Sequence, residues 1–142
     1  MPFIKIYIHI VFSTKNRVSY FNTPNLRVKV WKHIKENAFQ KGIHLDMVNG
    51  YSDHCHCLVS LSSHQNIEKV VQLLKGESSH WINKNQLTPE KFAWQAEYLA
   101  VSVSESKIDL VRNYIKNQEM HHQKKIFMEE YQEFMDKYGF KV

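Results

Sequence analysis

His54, Cys55 and His56 stand in a stretch, HCHCLVSL (54–61), that alternates in the manner of a β-strand. Alternate residues of a strand project from one face, so the two imidazoles lie about 7 Å apart at the backbone and can converge on one cation. The same alternation sends Cys55 and Cys57 to the opposite face as buried, inert thiols, which argues against a mixed Cys/His zinc site. An HxH pair also arises by chance in a chain with nine histidines. Tyr114 and Gln118 form a second constellation. Four residues apart on an expected helix, they lie one above the other. A phenol there can act as a nucleophile, and the amide oxygen as a neutral metal ligand. Taken alone, a tyrosine beside the stripe Ile108, Val111 and Ile115 is more often an ordinary boundary aromatic.

The elements that must position these groups follow from periodicity. Residues 3–12 alternate, with Ile4, Ile6, Ile8, Ile10 and Phe12 on one face and Lys5, Tyr7 and His9 on the other. A helix is expected over 24–41, with Thr23 as N-cap, Pro24 in the first turn and Gly42 just beyond the end. Strands are expected over 43–48 and 54–61, separated by a turn around Asn49 and Gly50. A second helix spans 66–83, a loop 85–95 and a fourth strand 98–103. Ser104 caps a third helix over 105–120. A fourth helix over 124–138 carries the stripe Phe127, Tyr131, Phe134 and Tyr138 and stops at Gly139. This order predicts a ferredoxin-like α+β fold: a βαββαβ antiparallel sheet with helices on one face, followed by C-terminal helices. Strands one and three are then central neighbours, and Tyr7, His9, His54 and His56 share the face left for ligand chemistry.

Composition bounds the partners. The 142 residues suit a single domain spanning 1–142, with 43% hydrophobic and 23% charged residues. No apolar run approaches the ~18 residues of a membrane span. The apolar start lacks a basic leader and a small-residue cleavage site, so it reads as a strand. Two cysteines two residues apart suit a reducing, cytoplasmic compartment. The net charge of +5 is uneven. Residues 1–45 hold eight Lys/Arg against one acid, and the remainder eleven against thirteen. Such a basic half suits a polyanion such as nucleic acid, or simply a solvated surface. Lys15 and Arg17 in the first turn, with Arg27, Lys29 and Lys32 on the first helix, form its densest part; separately, Lys75 and His80 on the second helix could face a bound strand.

DHCHCLVS (53–60), VVQLLKGESSHWI (70–82), FAWQ (92–95) and YIKNQEMHH (114–122), preceded by YIHIVFSTKNR (7–17), occur in this order. Together they resemble the single-tyrosine (Y1) HUH transposases of the IS200/IS605 type, including the REP-associated tyrosine transposases. The resemblance runs from about Ile4 to Tyr138. It implies that His54, His56 and Gln118 are metal ligands for Mg²⁺ or Mn²⁺ and that Tyr114 is the nucleophile. It further implies a homodimer that binds single-stranded DNA folded into hairpins, and that nicks and rejoins it through a 5′-phosphotyrosine. Two segments depart from the family pattern: Ala96-Glu97-Tyr98 replaces a glycine-containing turn, and Ser104-Glu105-Ser106 replaces a glycine before the tyrosine helix. Neither removes a catalytic group.

A different class of function fits the same sheet. A βαββαβ domain with Tyr7 and His9 on an open face could be a non-catalytic RRM-like module that stacks single-stranded nucleic acid. Such a module has no use for His54, His56, Tyr114 and Gln118 together, and the third strand carries no RNP motif. A small metal-binding regulatory domain is a third reading. Tyr98 is the next tyrosine to consider as nucleophile.

Overall fold

The computed structural model describes residues 2–122 and 127–137. Four strands, β1 (Tyr7–Ser13), β2 (His44–Gly50), β3 (His54–Ser60) and β4 (Leu99–Val103), form one sheet in the order β2-β3-β1-β4. Every pairing is antiparallel. With α1 (Pro24–Gln40) between β1 and β2, and α2 (Ile67–Lys84) between β3 and β4, this is the expected ferredoxin-like βαββαβ arrangement.

α1 begins where the sequence says it should. The Thr23 side chain accepts from the Leu26 amide at 3.2 Å, and Pro24 occupies the first turn, where its missing N–H costs nothing. Asn66 caps α2 in the same way, accepting from the Lys69 amide at 2.9 Å. Both helices lie on one face. Val30, Trp31, Ile34 and Ala38 of α1 and Val70, Val71, Leu74 and Ile82 of α2 pack there against Ile8, Ile10, Phe12, Cys55, Cys57 and Val59. The indole of Trp94 adds a buried polar contact, donating to Ser78 Oγ at 2.9 Å.

The opposite face is not open. α3 (Ile108–Lys116), α4 (Gln118–His122) and α5 (Phe127–Lys137) follow β4. Ile108 and Ile115 pack on Leu58, and Tyr131 packs on Val11, Leu99 and Val101. Polar ties orient α3 against β2. Arg112 forks onto Asp46 at 2.7 and 2.9 Å, and the Asn49 amide donates to the carbonyls of Ile115 and Lys116. Among the described residues no helix is long and apolar enough to cross a membrane.

Three boundaries differ from the sequence reading by more than one residue. β1 starts at Tyr7, because β3 and β4 end opposite it at Ser60 and Val103, and Ile4 and Ile6 are exposed. β2 runs through Asn49 to Gly50, which places the turn at 51–53. The helix expected over 105–120 breaks in two at Asn117, so Tyr114 lies in the last turn of one helix and Gln118 begins the next. Of the last expected helix, Phe127–Lys137 is helical, and residues 124–126, Tyr138 and Gly139 lie outside the described residues.

Gly50 joins fold to site. A Cβ at this position would stand 2.1 Å from the His54 carbonyl oxygen and 3.0 Å from Cys55 Cα, both fixed by the sheet. Gly50→Ala therefore forces the strands apart at the first histidine. The expected loss is about 1–3 kcal/mol, read from the urea midpoint, as for other overpacked sites.

Candidate active site

The pleat of β3 does what the spacing requires. Cys55 and Cys57 enter the helix-covered core with their sulfurs 3.8 Å apart, and burial, reinforced by Cys57, pushes the Cys55 thiol well above its usual range. His54 and His56 point the other way, under α3–α5, and both are fully buried. Their rings lie 5.1 Å apart, nearly perpendicular.

Each imidazole is held by its inner nitrogen. His54 Nδ1 donates to the Asp53 carboxylate at 2.9 Å, and His56 Nδ1 lies 2.9 Å from His9 Nε2 on β1. Burial first, and then the neighbouring His56, lower the pKa of His9 to about 3, so that ring is neutral at ordinary pH. Both Nε2 atoms are thereby aimed at a common point, the orientation that outer hydrogen bonds impose on metal-binding histidines.

Two oxygen donors meet them. Gln118 Oε1 is 3.0 Å from His54 Nε2, and Gln118 is fully buried although the helix breaks just before it. Glu130 on α5 places Oε1 2.7 Å from His56 Nε2 and 4.0 Å from His54 Nε2, itself only 4% exposed. One donor atom from each of His54, His56 and Glu130 falls within a 4.8 Å cluster. Two imidazoles, a carboxylate and an amide oxygen form a donor set that fits a first-row divalent ion, and the oxygens also accommodate Mg²⁺. The carboxylate changes the charge expected from His54, His56 and Gln118 alone, since it contributes one negative charge to the cluster.

Tyr114 completes the group, its ring 5.6 Å from that of His56 and edge-on. Burial, and next the Glu130 carboxylate, push its phenol well above the ordinary value of 10, while Gln118 pulls the other way. Without a compensating positive charge the phenol is thus protonated at neutral pH. A cleft of about 700 Å³ opens beside it, lined by His9, Lys107, Val111, Glu130 and Lys137 among others.

The remaining sequence candidates scatter. Lys15 and Arg17 lie in an exposed 3-10 turn after β1. Lys75 is half-buried on α2 and donates to the carbonyls of Gln95 and Ala96, which takes it out of the open basic surface. His80 is exposed on α2, on the layer away from the histidine cluster. Arg27 is buried, bound to the Phe21 carbonyl and to Glu119 at 2.8 Å each, so it braces α4 against α1 rather than facing solvent. Tyr98 has the Lys75 ammonium 5.9 Å from its ring centroid. Asp53 and Glu130 escaped the sequence reading. Glu130, three residues after Phe127 and four before Phe134, is an acid on an apolar stripe, and that misplacement is the signal that could have found it.

Residues 3–118 match the family described as Transposase IS200 like, and the chain belongs to that family of transposases. In fold it is similar to the crystal structure of a candidate transposase from Deinococcus radiodurans R1. The TM-score is 0.65 at 23% identity, over 82% of this chain and 93% of that one. It is also similar to a REP-associated tyrosine transposase bound to a REP hairpin, with a TM-score of 0.63 at 14% identity, over 86% of this chain and 72% of that one. None of the curated proteins compared with this chain matches it.

Because Arg27 reaches across to Glu119, next to Gln118, it steadies the start of α4 without touching Gln118. Arg27→Ala should cost roughly 1–2 kcal/mol, chiefly because it strands the buried Phe21 carbonyl, while the half-exposed Glu119 carboxylate turns to solvent. Hydrogen exchange at residues 117–120 should accelerate more than exchange in the sheet.

Proposed function

We propose that the chain is a metal-dependent single-stranded DNA endonuclease and strand transferase that cuts near hairpins through Tyr114. The observation that carries this reading is the convergence, on one buried spot, of His54, His56, Gln118 and Glu130 with the Tyr114 phenol beside them. Neither a base-stacking module nor a purely structural core explains four ligand-type groups around one phenol.

His54, His56, Glu130 and Gln118 would hold a divalent ion, Mg²⁺ or Mn²⁺; when bound, it withdraws charge from a phosphate oxygen and favours the ionised phenol. The chain's own groups do the rest. Asp53 and His9 keep both imidazoles turned outward. The phenolic proton of Tyr114 passes to the adjacent Glu130 carboxylate. The Tyr114 oxygen attacks the phosphorus, the bond to the 3′-oxygen breaks, and that oxygen leaves with the proton as a 3′-hydroxyl. The 5′-phosphotyrosine retains the energy of the broken bond, so a 3′-hydroxyl attacking it reverses the step and joins strands without a nucleotide cofactor. The raised phenol pKa agrees with a nucleophile kept silent until charge arrives beside it.

That one structural relative is bound to a REP hairpin supports hairpin DNA as the substrate class, and the basic turn at Lys15 and Arg17 supplies phosphate contacts. A single domain acting as a homodimer in the cytoplasm belongs to the same reading.

Denaturing electrophoresis with labelled hairpin-bearing single strands tests the chemistry. Wild-type protein with Mn²⁺ should give an SDS-resistant protein–DNA band, absent with EDTA and absent in Tyr114→Phe, which still binds DNA. An adduct that persists in Tyr114→Phe would assign the nucleophile to another tyrosine. Wild-type protein that binds hairpins tightly but forms no adduct would support the binding-module reading instead.

A further inference from the structure

A second cavity, of about 370 Å³, lies beside the histidine cluster on the far side from the Tyr114 cleft. Its floor is Val11 and Ser13 of β1, the register partners of His56 and His54, so it begins one strand spacing, about 5 Å, from the two ligands. Tyr131, which follows Glu130 on α5, forms one wall, and Tyr98, 40% exposed, forms another. Asn16, Arg17, Gln95 and the carboxylate-bearing Glu97 also line it.

The walls are built to hold shape. Asn16 and Arg17 are consecutive non-glycine residues in the left-handed region, with φ of 58° and 54°. Such a turn persists only where its surroundings over-determine it, and residues of this kind cluster at ligand clamps. Here the turn is pinned from several sides. Thr14 N–H donates to the Asp53 carbonyl, Lys15 N–H to that of Ala93, and Gln95 N–H to that of Ser13, at 2.8–2.9 Å. Asn16 N–H reaches the Gln95 side-chain oxygen at 3.4 Å. Lys75 fixes the facing segment by donating to the carbonyls of Gln95 and Ala96, and its ammonium lies 5.9 Å from the Tyr98 ring centroid. The result is a preformed slot lined by two tyrosines, two side-chain amides, the Arg17 guanidinium and the Glu97 carboxylate.

We infer that this slot receives one unstacked base of the single strand, adjacent to the phosphate at the histidine cluster. The base lies against Tyr98 and Tyr131 with its own phosphate toward Arg17. The volume falls at the lower end of small-ligand clefts, which suits one nucleoside and excludes a base pair. Aromatic walls accept any base by its π-face, while Gln95 and Asn16 offer donors and acceptors to its edge. The inference rests on the proposed action on single-stranded DNA.

Fluorescence anisotropy at low salt, with labelled dT16 and a strand of sixteen abasic deoxyribose phosphates, separates base from backbone. Wild-type protein should bind dT16 about tenfold more tightly than the abasic strand. Tyr98→Ala should weaken dT16 by about that factor and leave the abasic strand unchanged, which also reports that the variant is folded. Tyr98→Phe should bind both strands as wild type does. Equal binding of the two strands by wild type overturns the slot while leaving the DNA-binding reading intact. So does a preference for dT16 that survives Tyr98→Ala, or an equal loss on both strands. Failure of wild type to bind either strand overturns the slot, and failure to bind a hairpin-bearing strand as well overturns the DNA-binding reading on which it rests.

Discussion

The two-residue period of β3 is the constraint on which the site depends. A strand covered on both faces usually carries apolar residues throughout. Here one face carries Cys55 and Cys57 into the core, and the other presents His54 and His56 to a second, polar layer. Two buried imidazoles at this spacing are costly unless their nitrogens find partners. The structure meets that requirement by drawing one group from almost every neighbouring element: Asp53 from the turn, His9 from β1, Gln118 from α4 and Glu130 from α5. The C-terminal helices are therefore arranged around the histidines as much as around an apolar face.

Glu130 holds the most consequential position. It touches His56, lies near His54 and raises the pKa of the Tyr114 phenol, so a single carboxylate couples the histidine cluster to that phenol. Low local dielectric strengthens each of these interactions, and the balance among them depends on what positive charge the cluster holds. Movement of α5 would change the exposure of the phenol and the charge of the ligand set together.

The sequence made local features legible and long-range ones obscure. Thr23 and Pro24 marked the start of α1, and strict alternation marked β3, because a cap and a pleat are set by neighbours in the chain. His54, His56, Tyr114 and Gln118 were identifiable as candidates, although only the ordered motifs linked them across sixty residues. The break after Lys116 was not legible. It is capped from β2, where the Asn49 amide takes the carbonyls that would have continued the helix, and such a partner lies far away in sequence. Glu130 was missed for the same reason, since its partners are on β3. Nor does a sequence show where its basic groups are bound: the Arg27 guanidinium meets the Phe21 carbonyl and Glu119, and Lys75 donates to two carbonyls.

That the histidine face is a metal centre is the central claim, and Mn²⁺ titration of the DNA-free protein, followed by electron paramagnetic resonance, tests it most directly. The account predicts one bound ion per chain, lost in His56→Ala and weakened about tenfold or more in Glu130→Gln. Gln118→Ala should also weaken binding, and Tyr98→Ala should not. Wild-type protein that leaves Mn²⁺ free in solution, or a His56→Ala variant that binds it as tightly as wild type, would contradict the account.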